Sequence, residues 1–128
     1  MNLKYSKAKL FYKKVEKSSI ENENPVKIIN TMVVELKKSM EIVVNSVYLK
    51  DKTQIRSKHF SRALVIIYTL QTSLDFEKGK TLAGKLFQIY EYCRTQLIKC
   101  FSKKIVEGAN KAIAALDDIF LKENLGNG

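Results

Sequence analysis

What most constrains this chain is how little in it breaks a helix. Its 128 residues contain one Pro and five Gly, three of them after residue 107. An all-β fold needs frequent turn signals, and a chain so poor in them favours long helices. The apolar residues agree. They recur at three- and four-residue spacing through four long stretches, which is the period of one face of an α-helix.

Asn24 and Pro25 open the first of these stretches. An Asn side-chain oxygen suits the cap position, and Pro suits the first helical one. The spacing predicts helix one from Pro25 to about Tyr48, with Ile29, Met32, Val33, Leu36, Met40, Val43 and Val47 as its core stripe. After a polar connection over Leu49–Thr53, helix two is predicted from about Gln54 to Leu74, with the stripe Phe60, Ala63, Leu64, Ile67, Leu70, Gln71 and Leu74. A turn follows over Asp75–Gly79. Helix three then runs from about Lys80 to Phe101, with Leu82, Leu86, Ile89, Tyr90, Cys93, Leu97 and Cys100 on one face. Ser102 reads as the cap of helix four, which runs to about Asn124 with Ile105, Ala109, Ala112, Ile113, Leu116, Ile119 and Phe120 inward. Runs of β-branched residues, such as Val33-Val34 and Val65-Ile66-Ile67, resemble buried strands in isolation. Their flanks keep helical period, so length decides for helix.

Four amphipathic helices joined by short loops imply antiparallel neighbours. The fold expected is therefore all-α: an antiparallel up-down four-helix bundle over residues 25–124. A short basic N-terminal helix or arm over 1–24 precedes it, with apolar residues Leu3, Leu10, Phe11 and Val15 over 3–15, and a disordered tail over 125–128 follows. At this length the chain is one domain with room for a core.

No stretch approaches the ~18 uninterrupted apolar residues of a membrane span, and no secretory signal is visible, so a cytoplasmic location and no membrane partner are expected. Cys93 and Cys100 lie seven apart on one predicted helix. That spacing puts their Cα atoms ~10 Å apart, beyond the ~7 Å reach of a disulfide, so both read as small buried hydrophobes. The formal charge is +10, and residues 1–17 carry six Lys against Glu16 alone. Such an arm either solubilises a terminus or binds an anionic partner, but no Arg cluster or DNA-binding motif accompanies it.

Catalytic candidates are few. His59 is the only histidine, and no carboxylate or cysteine pairs with it at helical spacing, so it reads as a surface or rim residue. Asp117 and Asp118 point about 100° apart on a helix and cannot form a tight dyad, so they read as a solvated face with Lys111 and Lys122. Glu35, Lys37 and Lys38 read as ordinary surface neighbours. There is no phosphate-binding loop, no nucleophile triad and no Cys/His cluster with metal spacing. An enzyme, a cofactor and a metal are therefore not expected.

What stands out instead is surplus apolar surface. Val34 and Ile42 lie off the stripe of helix one, Val65, Ile66 and Tyr68 off that of helix two, and Phe87 and Ile98 off that of helix three. Scattered apolar residues are normal on a monomer, whereas bulky ones clustered outside adjacent helices form a groove for another helix. The pattern alone leaves both readings open.

The stretch Ser61–Gly79, which runs Ser-Arg-Ala-Leu-Val-Ile-Ile-Tyr-Thr-Leu-Gln-Thr-Ser-Leu-Asp-Phe-Glu-Lys-Gly, resembles the second helix and following turn of the FliS family of flagellin export chaperones. In that family a helix ends in Leu, two residues and Ser/Phe-Leu-Asp before an acidic residue and Gly. The continuation Leu82–Tyr92 is similar to the family's leucine-alanine, leucine, aliphatic-tyrosine-acidic-tyrosine pattern, and Ile20 with Asn24-Pro25 sits where the family has an aliphatic residue and Ser-Pro. The chain departs from the family at Met32–Glu35, where Leu-Tyr-acidic-Gly is usual, and near Phe120, where a Trp is common.

The resemblance implies a cytosolic chaperone that binds the disordered C-terminal segment of flagellin, prevents premature polymerisation and hands the subunit to the flagellar export gate. It implies Tyr12 and Ile20 on or beside the client surface, and the chain's own N-terminal segment in that groove when it is empty. Periodicity adds Val65, Tyr68, Phe87 and Ile98 to the flagellin-binding set. Two other classes compete: a basic helical bundle that binds nucleic acid or regulates through its arm, and a structural bundle that self-associates through the surplus apolar residues. A monomer or weak homodimer is expected of the chaperone, and no nucleic acid.

Overall fold

The computed structural model describes residues 25–127, with side chains from 25 to 120. Four helices account for nearly all of them, and no strand occurs among the described residues. They are α1 (Pro25–Ser46), α2 (Thr53–Thr72), α3 (Phe76–Lys103) and α4 (Glu107–Asn127), with a 3₁₀ turn at Lys50–Lys52. Consecutive helices pack against one another, and α4 closes the ring against α1. The expected all-α four-helix bundle is what forms. The expected arm over 1–24, its helix over 3–15 and the Asn24 cap lie outside the described residues.

The pairing is antiparallel, as short connections require. Glu35 of α1 meets Arg62 of α2 at 2.9 Å, and Lys37 of α1 meets Asp117 of α4 at 2.7 Å. Asp117 thus faces α1 and holds the Lys37 ammonium above its ordinary pKa. It does not share a solvated face with Lys111, which pairs instead with Glu107 at 3.3 Å. Tyr48 donates to the Lys104 carbonyl at 2.8 Å and so ties the α1–α2 connection to the α3–α4 connection at one end of the bundle. Arg56 donates to the carbonyls of Ser46 and Leu49, adding to the backbone N–H bonds that these already accept from Leu49 and Lys52 where α1 ends.

The core follows the stripes. Leu36, Met40 and Val43 of α1, Ile67 and Leu70 of α2, Tyr90, Cys93, Leu97 and Cys100 of α3, and Ala109, Ala112 and Leu116 of α4 are buried. Burying each large apolar side chain contributes about 1.5–3 kcal/mol, and these terms jointly oppose the entropy of ordering the chain. Both cysteines are buried free thiols. Desolvation pushes the Cys93 thiol up to about 12 and raises Cys100 as well, so neither is a nucleophile at neutral pH.

His59 is half-buried at the α1–α2 rim, its Nδ1 hydrogen-bonded to Ser39 Oγ at 3.1 Å. Burial first, then the nearby positive charges of Arg62, Lys58 and Lys38, lowers its pKa, which keeps the ring neutral at pH 7.

Further expectations are corrected. Ile66 is fully buried rather than surplus, because α2 also turns that flank toward α1, its most extensive neighbour. Leu82 is 54% exposed rather than in the core. Gln71, one residue from the end of α2, already meets Glu91, so the start of α3 overshoots α2. Ile105 is 48% exposed because α4 begins only at Glu107 and Ile105 lies in the connector. Ser102 does not cap α4; its hydroxyl donates to the Ile98 carbonyl at 2.7 Å inside α3.

The expected turn at 75–79 is itself helical. The Asp75 side chain accepts from the backbone N–H of Glu77 and Lys78, capping a first turn that breaks at Lys80 (φ 46°, ψ −119°). Gly79 has no space for a side chain, since a Cβ there would lie 2.8 Å from the Ala83 Cβ. At its other end α3 stops on Lys104 (φ 60°, ψ 30°), whose N–H donates to the Cys100 carbonyl at 3.0 Å. This is the left-handed cap that Gly usually fills. The left-handed conformation of Lys104 costs a Cβ-bearing residue about 1–2 kcal/mol, and that of Lys80, at positive φ outside the left-handed region, costs about 1–3 kcal/mol. Lys80→Gly and Lys104→Gly should therefore each raise stability by about 1 kcal/mol, read as a higher urea midpoint at unchanged slope. Lys104→Ala, which keeps the Cβ, should not.

Candidate functional site

A candidate docking surface runs along the outside of the α2–α3 seam. Its register comes from two contacts. Phe60 of α2 stacks on Phe101 of α3, with ring centroids 3.9 Å apart and planes within 5°. Further along, Gln71 donates to Glu91 at 3.3 Å. An i, i+4 row drifts across a helix surface by about 40° per step. Phe60, Leu64 and Tyr68 form such a row. Phe60 and Leu64 are half-buried, and Tyr68 emerges at 65% exposure.

On α3 the facing row alternates steps of four and three and so runs straight. It comprises Phe87, Glu91, Arg94, Ile98 and Phe101, each half-buried. Apolar groups occupy its two ends and an ion pair its middle. Arg94 donates to both Glu91 carboxylate oxygens, at 2.8 and 2.7 Å. The Arg94 guanidinium first, then the Gln71 amide, pulls the Glu91 carboxyl down to about 2. What the pair adds to stability is therefore present above the ordinary carboxylate range and lost only as pH falls toward 2. Both side chains are over one-third exposed, which keeps that contribution within the small range of surface pairs. The clamp's main effect is to present a fixed, ionised polar band between two apolar patches.

Of the residues singled out from sequence, Tyr68, Phe87 and Ile98 share this seam. Val65 is half-buried on the outer side of α2. Tyr12 and Ile20 lie outside the described residues. The four are thus not sealed inside the bundle. Val34, 62% exposed, stands apart on the far side of α1, and Ile42 is half-buried there.

Phe76 was missed by sequence reasoning. It is 53% exposed and tilts against Phe87 at 6.0 Å, extending the apolar strip past the end of α2. Its signal was an aromatic residue directly after a capping Asp, concealed by the turn assignment. The Glu91–Arg94 clamp was legible as an i, i+3 acid–base pair.

Among the described residues no group of His, Cys, Asp or Glu is placed to hold a metal ion, and no helix is long and apolar enough to cross a membrane. The geometry supports docking of another chain, with Tyr68 displayed and Phe101 structural. Tyr68→Ser should leave stability within about 0.5 kcal/mol of wild type, whereas Phe101→Ala should cost about 3 kcal/mol in chemical denaturation. Equal losses would make Tyr68 a packing residue.

A family model described as flagellar protein FliS matches residues 8–120, most of the chain. No curated protein and no solved structure matches it. The matched span contains all of α1, α2 and α3 and the side chains that build the seam. The chain therefore belongs to the FliS family of flagellar export chaperones.

Proposed function

We propose that this protein binds the C-terminal segment of flagellin in the cytoplasm, keeps it from polymerising and delivers it to the flagellar export gate. The observation that carries the reading is the α2–α3 seam of a FliS-family chain, where Tyr68 stands in solvent between half-buried Ile98 and Phe87. A client segment disordered on its own loses conformational entropy on binding, so it must bury enough apolar surface to offset that loss. An amphipathic helix laid along the seam would set apolar side chains on the two ends of the strip. Its polar groups would meet the Glu91–Arg94 band between them. That band fixes register, since an apolar side chain placed over it would desolvate an ion pair without replacing its hydrogen bonds.

Val65, Tyr68, Phe87 and Ile98 are assigned to the client surface on this reading. Tyr12 and Ile20 join it through the family resemblance. The protein acts as a monomer or weak homodimer and needs no cofactor, because covering the client is the whole task.

Mixing the chain with a flagellin C-terminal peptide should give a one-to-one complex and more helical circular dichroism than the two components sum to. Tyr68→Ser should weaken that complex about tenfold, the loss expected of a central aromatic anchor. No complex at micromolar concentration would overturn the proposal.

A further inference from the structure

A second concavity lies on the neighbouring face, where α3 ends and α4 begins. It is an open cavity of about 410 Å³. Its floor is the first turn of α4 with the Gln96 side chain folded onto it. Gly108 permits that approach, since a Cβ there would collide with the Gln96 side-chain amide. Its walls include two apolar side chains in solvent, Tyr92 at 38% exposure and Ile105 in the connector. The rim carries Lys99, Lys103 and Lys111. Lys111 is engaged by Glu107, but both side chains of that pair are mostly exposed and the pair opens at small cost. Lys99 and Lys103 make no ion pair among the described residues, and the carboxyl end of α3 favours cations where they stand.

Charge decides what can sit there. The chain's own residues 1–17 carry six Lys against one Glu, and a second copy carries the same net +10, so neither complements a lysine rim. Nothing about the α2–α3 seam is needed for this site, and its failure would leave that reading intact. We infer that the α3–α4 cavity is a separate docking site for an acidic segment of a partner protein. The segment seats one apolar side chain between Tyr92 and Ile105 and places flanking carboxylates on Lys99, Lys103 and Lys111. The apolar wall supplies the anchor, and the lysines select charge and steer association.

The test uses a fluorescein-labelled short peptide in which one Leu is flanked on both sides by Glu, followed by anisotropy against the full chain. Binding should saturate, weaken as salt rises, and vanish for the same peptide with Lys in place of Glu. Lys99→Glu with Lys103→Glu should weaken it about tenfold or more, and Ile105→Ser several-fold. Tyr68→Ser should leave it unchanged. These side chains are exposed or lie in the connector, and circular dichroism of each variant checks the fold. Three results would overturn the inference: no saturable binding by wild type, indifference to the Lys99 and Lys103 reversals, or an equal loss from Lys38→Glu with Lys58→Glu on the α1–α2 face.

Discussion

Phe60 and Phe101 stack with nearly parallel rings, and what the outer seam displays depends on where that stack holds α2 against α3. Because Phe60 is fixed between the helices, its i+4 row must rotate outward, and Tyr68 is carried into solvent two steps later. Because Phe101 is fixed, the straight row on α3 brings Ile98, Arg94, Glu91 and Phe87 to the same edge. Gln71 and Glu91 lock the far end of the register. Sliding α3 by one residue would turn its row by about 100° and replace that edge with another set of side chains. The position of the seam is thus set by packing in the core.

The same register leaves the start of α3 beyond the end of α2. Phe76, Phe87 and the break at Lys80 belong to that overshoot, as does exposed Leu82. A helix that outruns its neighbour loses the partner for its inward face, and the apolar strip becomes longer than the pair of helices that carries it. At the other end the left-handed Lys104 stops α3 abruptly. That stop leaves Ile105 outside the core and opens the lysine-rimmed cavity. One helix therefore borders two faces of different chemistry, the first apolar with a polar band and the second cationic with an apolar wall.

Much of this was legible in the sequence, for identifiable reasons. Pro25 marks a helix start, and Met32, Val33, Leu36, Met40, Val43 and Val47 keep helical period without exception, so α1 and its buried face read directly. Tyr68, Phe87 and Ile98 were legible as apolar residues left off their stripes. Ile66 was not distinguishable from them, because a wheel shows which residues share a face but not how broad a face the neighbours cover. The ends of α3 were misplaced because Lys80 and Lys104 hold conformations that composition assigns to glycine, and lysine carries no such signal. Phe76 was concealed because turn residues direct attention away from function. Tyr12 and Ile20 rest on family resemblance alone.

The central claim is that the α2–α3 seam, and not the exposed apolar residues elsewhere on the bundle, receives the client. Photo-reactive benzoylphenylalanine in place of Tyr68, and separately in place of Val34, tests it directly, since both positions are similarly exposed and only one lies on the seam. Illumination with flagellin present should cross-link the client at position 68 and leave it free at position 34. Cross-linking at position 34 alone, or equally at both, would contradict the claim.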